Sequence, residues 1–270
     1  MSTKNVTGIA LVTGASRGIG ATYAAKLALR GYDLVLVARD QRRLEHLASR
    51  IATSTKRNVS IIAADLSSNA GIASVERELE MNNRINLVLN NAGAADLGRP
   101  VSESDPAKMD SLIQLNITAF TRVARASAAA FTRRRYGTLI NVSSALALRV
   151  RANAAVYSGT KAYVLQFSRV LQQELADKGV TVQVVLPGAV ATDIWATNNI
   201  DVTTLPKGTV MSSDELVDAA LAGLDQGEFV TLPSLPDVAE WERFEAARNA
   251  LSQNLSRDHA ADRYKTTVAA

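Results

Sequence analysis

Six short apolar runs, GIALVT (8–13), DLVLVA (33–38), VSIIAA (59–64), INLVLN (85–90), GTLINVS (137–143) and VTVQVVLP (180–187), recur along the chain. Each is almost continuously hydrophobic, as expected of a strand covered on both faces, and none alternates apolar with polar residues like a half-exposed strand. Between them lie segments of helical spacing over 19–30, 41–53, 68–81, 106–134 and 157–178. Strand and helix in repeated alternation join through right-handed crossovers, so the pattern predicts an α/β chain: a doubly wound, mostly parallel sheet with helices on both faces.

No internal repeat or linker interrupts this order, and 47% hydrophobic content over 270 residues suffices for one core, so a single domain over 1–270 is expected. The alternation fails after residue 188, where Pro, Gly, Asn and Thr cluster. A loop that long within a compact domain is commonly functional, and 188–213 is expected to form a substrate loop with Ile194, Trp195 and Leu205 as apolar walls. A short helix near 213–224 and a last strand around 228–232 follow. Over 237–251, Val238, Trp241, Phe244, Ala247 and Leu251 share one helical face, which predicts a helix docked on the surface. The polar tail 252–270 reads as a flexible end or an interface element.

Composition narrows the chemistry. There is no cysteine, and the two histidines, His46 and His259, lack partners at metal-ligand spacing, so no metal site is expected. The net charge of +4 comes from scattered Lys and Arg nearly balanced by acids, which does not predict a nucleic-acid partner. Arg133, Arg134 and Arg135 close a long helical pattern, where cations complement the helix dipole. The first residues lack the pattern of a secretory signal, and no stretch has the length of a membrane span; a cytoplasmic protein with no membrane partner is expected.

The segment TGASRGIG (13–20) ends the first run and opens a helical pattern, the context in which a glycine-rich turn binds a dinucleotide on a Rossmann fold. Gly14 allows the turn, Gly18 and Gly20 allow close backbone approach, and the helix start offers N–H groups to a pyrophosphate. The second run ends in Ala38 and Arg39, with no acidic residue at the strand end to take a ribose hydroxyl, and Arg17 lies inside the glycine loop. Two guanidinium groups favour a 2′-phosphate, hence NADP(H) over NAD(H). Asp40 is the opposing feature, since a small loop shift would bring its carboxylate to the ribose.

In YSGTK, Tyr157 and Lys161 are one helical turn apart, where an ammonium lowers the pKa of a phenol; Ser144 stands thirteen residues before Tyr157 at the end of a strand. Taken with TGASRGIG, Asp65-Leu66, NNAG (90–93), Asn116 in QLNIT and PGAVAT (187–192), in that order over about residues 8–192, the chain resembles the short-chain dehydrogenase/reductase family, specifically its compact, single-domain branch.

The resemblance implies an oxidoreductase that moves hydride between a nicotinamide cofactor and a carbonyl or alcohol. Tyr157 would be the proton donor, Ser144 would hydrogen-bond the substrate carbonyl, Lys161 would bind the nicotinamide ribose and tune Tyr157, and Asn116 would hold a water in a proton relay. Ser16 and Ile19 would join the glycine loop around the cofactor, Asp65 and Leu66 would meet the adenine, and Asn91, Ala92 and Gly93 would line the ribose. Pro187, Gly188, Val190 and Thr192 would hold the carboxamide. It also implies a homodimer or homotetramer. Alternatives are a non-catalytic NADP(H)-binding sensor, which has no need of Tyr157 beside Lys161, and a sugar-nucleotide enzyme of the extended branch, whose glycine spacing differs. Arg149 and Arg151, where the family often has a glycine, either greet an acidic substrate group or face an interface or solvent.

Overall fold

The computed structural model describes residues 8–265. Among the described residues nine strands form in chain order: β1 (Ile9–Thr13), β2 (Asp33–Ala38), β3 (Val59–Ala63), β4 (Ile85–Asn90), β5 (Gly137–Val142), β6 (Val180–Val185), β7 (Ala189–Val190), β8 (Val210–Met211) and β9 (Val230–Thr231). Seven of them make one sheet in the order β3-β2-β1-β4-β5-β6-β9, with every neighbouring pair parallel. The interior strand β1 is held on both sides, Ile9 pairing with Asp33 of β2 and with Ile85 of β4.

The helices are α1 (Gly18–Leu29), α2 (Gln41–Thr55), α3 (Asn69–Met81), α4 (Pro106–Ile113), α5 (Phe120–Arg134), α6 (Ala155–Leu175), α7 (Ile194–Thr197), α8 (Ser213–Asp225) and α9 (Val238–Ser252). Their starts are written in the sequence. Asp40, Ser68, Asp105 and Ser212 each accept a backbone N–H of the first turn of α2, α3, α4 and α8, and Pro106 opens α4.

The unbroken apolar runs serve two cores. Val12, Leu36, Leu89 and Val142 face one side of the sheet, with Tyr23 and Leu27 of α1, Leu44 of α2 and Val217 of α8. Leu11, Val35, Val88 and Leu139 face the other, with Ile72 and Val75 of α3, Val123 and Phe131 of α5 and Leu171 of α6. Each such side chain removed from water contributes roughly 1.5–3 kcal/mol, which is why neither face tolerates a polar alternation.

One expected helix is divided. The pattern over 106–134 forms α4 and α5, joined by a π-helical turn at Gln114–Ala119 that holds Asn116. The loop after β6 is also less irregular than expected: β7 and β8 pair in parallel, and α7 lies between them.

The chain gathers into two compact units, one ending at Pro233 and the other beginning at Ser234. The second contains α9. Within this unit α9 carries no buried residue, and Val238 and Leu251 are each 60% exposed. Trp241 and Phe244 of α9 pack on each other, ring centroids 5.3 Å apart.

Candidate active site

A parallel sheet gathers its loops by direction. The glycine loop follows β1, Arg39 follows β2, Asp65 and Leu66 follow β3, Asn91 to Gly93 follow β4, Ser144 follows β5, and Pro187 and Gly188 follow β6. All therefore lie at the carboxyl edge of the sheet. Strand order reverses between β1 and β4, the place where such sheets open a crevice for ligands.

Thr13 fastens the two strands there. Its hydroxyl donates to the Leu89 carbonyl at 3.2 Å and accepts from the backbone N–H of Asn91 at 2.9 Å and of Ala92 at 3.0 Å. The Asn91 amide donates back to the Thr13 carbonyl at 3.0 Å. The glycine loop fits against this staple only without side chains: Gly14 has φ +67°, and a Cβ on Gly20 would stand 2.3 Å from the Gly14 carbonyl oxygen. No side chain caps α1, which follows Arg17 directly, so its first N–H groups are not claimed by a cap. Ile19 packs inward against the core, and Ser16 is partly exposed in the loop.

Arg17 and Arg39 are both exposed. Asp40 does not turn toward them. It accepts the Arg43 backbone N–H at 3.0 Å as the cap of α2 and pairs with the Arg43 guanidinium at 3.3 Å. Asp65 accepts from the backbone N–H and hydroxyl of Ser67, which hold its carboxyl below the usual range, with the Arg39 charge adding to the effect. Leu66 is buried beneath the edge.

Four polar side chains converge beside the β4 loop. Asn116 is buried in the π turn; it accepts from the Ala94 N–H and donates to the Ala94 carbonyl, both at 2.9 Å, and donates to the Thr160 hydroxyl at 3.0 Å. A Cβ on Gly93 would stand 3.2 Å from the Asn116 Oδ1 and 3.5 Å from the Lys161 Nζ, so the NNAG loop lies directly on both. Lys161 is buried, donates to the Val142 carbonyl at 3.0 Å and sits 5.8 Å from the centre of the Tyr157 ring. Burial pushes its pKa down from 10.5 to about 8. Ser144 accepts from the Leu146 N–H at 3.1 Å and hydrogen-bonds Tyr157.

The sequence led us to expect a lowered Tyr157 pKa. Here burial raises it, and the opposing influence is the Ser144 hydrogen bond. The physical reason is that Lys161 lies over the ring while its ammonium is directed to the Val142 carbonyl.

Apolar residues gather around Tyr157: Leu97, Ala154 and Trp195, which are buried, and Leu146, Ile194 and Leu205, which are partly buried. The segment after β6 is tied in place. The Trp195 indole donates to the Val190 carbonyl at 2.6 Å, the Leu97 N–H donates to Asn198 at 2.9 Å, and the Pro187 carbonyl accepts from Ala145 at 2.8 Å. Thr192 lies against the glycine loop, its methyl 3.1 Å from where a Gly18 Cβ would be, and Gly188 is exposed. Arg149 is exposed and Arg151 partly so.

A model of the short chain dehydrogenases matches residues 8–203. The chain belongs to the short-chain dehydrogenase family. A short-chain dehydrogenase from Sphingobium yanoikuyae, solved in complex with NADPH, superimposes with a TM-score of 0.92 and 44% identity over 96% of this chain and 100% of that one. A bulky-bulky ketone specific alcohol dehydrogenase from Comamonas testosteroni gives a TM-score of 0.88 and 41% identity over 97% of this chain and 99% of that one. The human inactive hydroxysteroid dehydrogenase-like protein 1 is 33% identical over 70% of this chain, a stretch spanning 58% of its own length.

The family thus has a relative named as inactive, so activity has to be argued from side chains. Sequence reasoning missed Thr13, Thr160, Leu97, Leu146 and Asn198. Thr13 had a signal, as the first residue of the glycine motif, and so had Thr160, inside YSGTK; Leu97, Leu146 and Asn198 become neighbours only through separate loops. Among the described residues no helix is long and apolar enough to cross a membrane.

Proposed function

We propose that this short-chain dehydrogenase reduces a medium-sized, partly apolar ketone or aldehyde with NADPH, and oxidises the matching alcohol in reverse. One observation carries the reading: the hydrogen-bonded Ser144 and Tyr157 stand against an apolar wall, with Lys161 buried behind the ring. The Comamonas relative, named for bulky ketones, supports the size of the substrate.

The loops fit a dinucleotide. Gly14 and Gly20 leave space that a Cβ would fill, and the uncapped start of α1 suits a pyrophosphate. Arg17 and Arg39 would take a 2′-phosphate, and the commitment of Asp40 to α2 removes the carboxylate that would favour a free ribose hydroxyl. The NADPH complex of the Sphingobium relative supports the same preference. Asn91 to Gly93 would line the ribose, Lys161 would reach the nicotinamide ribose, and Val190 and Thr192 would hold the carboxamide.

When bound, the reduced nicotinamide supplies a hydride to the carbonyl carbon. Tyr157 delivers its phenolic proton to the carbonyl oxygen, and Ser144 aims a second donor at the charge forming there. Burial keeps the phenol protonated near neutral pH, which suits a donor. Alcohol oxidation needs the phenolate and rises with pH. Leu97, Leu146 and Trp195 keep water from the reacting atoms. Both amide hydrogens of Asn116 are engaged, so a relay water would rest on its carbonyl oxygens.

The test is NADPH consumption over a panel of aldehydes, aryl and dialkyl ketones, diketones and 3-oxoacyl compounds, with Tyr157→Phe alongside and NADH for comparison. We expect turnover with NADPH that falls by about 10²-fold or more in the variant. Tight NADPH binding without reduction of any carbonyl would favour a non-catalytic binder instead.

A further inference from the structure

One carboxylate outside the catalytic group faces the Arg17 cation of the cofactor edge and, beside it, Arg43, which Asp40 also holds. Asp193, the residue after Thr192, lies 3.4 Å from the Arg17 guanidinium of the glycine loop and 3.6 Å from the Arg43 guanidinium of α2. It does not reach them as a loose loop residue. Thr192 is pressed against Gly18, the Ala191 N–H donates to the Met211 carbonyl at 2.9 Å, and the Trp195 indole is bonded to Val190. Nor is it a structural cap, since its side chain makes no hydrogen bond to α7. A carboxylate held between two guanidinium groups from different elements occupies the electrostatic position of a phosphate.

We propose that Asp193 is an internal counterion at the 2′-phosphate site, displaced from Arg17 when that phosphate binds Arg17 and Arg39, and that its release is transmitted to the substrate wall through Trp195. The proposal rests on the NADP(H) reading above and adds to it a specificity residue that opposes the cofactor's extra phosphate and couples cofactor to substrate. The coupling is short: Trp195 follows Asp193 by two residues and is buried in the apolar cluster around Tyr157. By linkage, a phosphate that frees Asp193 alters how the wall receives substrate, and substrate alters the phosphate's affinity by the same factor.

The experiment uses the full chain with Trp241→Phe, which leaves Trp195 as the only tryptophan. The probes are 2′,5′-ADP, which carries the extra phosphate, and 5′-AMP, which does not, each titrated into this protein with and without Asp193→Asn. Asp193 is 54% exposed on its side chain, so the variant is expected to fold, and its circular dichroism and melting curve check that. Asp193→Ala serves as the second variant. We expect removal of the carboxylate to tighten 2′,5′-ADP roughly fivefold at low salt, leave 5′-AMP unchanged, and abolish a Trp195 emission change that only 2′,5′-ADP produces. The gain should shrink as salt rises. If Asp193→Asn weakens 2′,5′-ADP or leaves it unchanged while the parent still prefers it over 5′-AMP, the counterion assignment is wrong and the cofactor reading stands. If the parent binds the two probes equally, the NADP(H) reading itself fails. An equal Trp195 response to both probes removes the coupling.

Discussion

At the scale of single residues, Lys161 shows the conflict between site and stability most clearly. An ammonium buried with one carbonyl partner costs the folded state, as its pKa of about 8 against 10.5 records. Because the folded-state value is the lower one, the penalty is full below about pH 8, diminishes as pH rises, and is gone above 10.5. It amounts to roughly 3 kcal/mol at neutral pH. Lys161→Met is expected to unfold at higher denaturant than the parent at about pH 7, with the gap closing toward about pH 10, while carbonyl reduction is lost. A variant equally or less stable at neutral pH would show that the Val142 hydrogen bond outweighs the buried charge. The closeness of Lys161 to Tyr157 was legible from their spacing in YSGTK, and it gained weight only with Ser144 and the other motifs. The rise in the Tyr157 pKa was not, because it depends on burial by Leu97, Leu146 and Trp195, none of which lies near Tyr157 in a way the sequence displays.

At the scale of elements, the π turn does what a straight helix over 106–134 would not. It places Asn116 where one side chain meets the N–H and carbonyl of Ala94 and the hydroxyl of Thr160, tying the β4 loop to α6. Asn116→Ala leaves three buried or partly buried groups without this partner. We expect a loss of about 2–4 kcal/mol in chemical denaturation, and a fall in kcat/KM carried by kcat as Gly93 and Lys161 lose their mutual placement. The six apolar runs all became strands, and α1, α2, α3, α6, α8 and α9 begin and end within three residues of their sequence patterns. The division of the long helix was invisible because hydrophobic spacing continues through QLNITA almost unchanged. The pairing of β7 with β8 was invisible for another reason, since two residues show no period.

At the scale of the whole molecule, apolar contact rather than surface charge joins the elements. Between α1 and α8, Lys26 pairs with Asp214 and Asp218, and Arg30 pairs with Asp225, all near the solvent. Beneath them Leu221 is buried. Arg30→Gln is expected to cost under about 1 kcal/mol and Leu221→Ala about 2–5 kcal/mol in the same denaturation assay. A reversed order would assign the helix pair to electrostatics. The architecture also fixes a waiting time. On the ribosome, Ile9 of β1 can meet Asp33 early, but its partner on the other side, Ile85, is made 76 residues later. At about 5–20 residues per second, one edge of β1 waits roughly 4 to 15 s for its neighbour, so the nascent chain carries an open, apolar strand edge for longer than most domains need to fold.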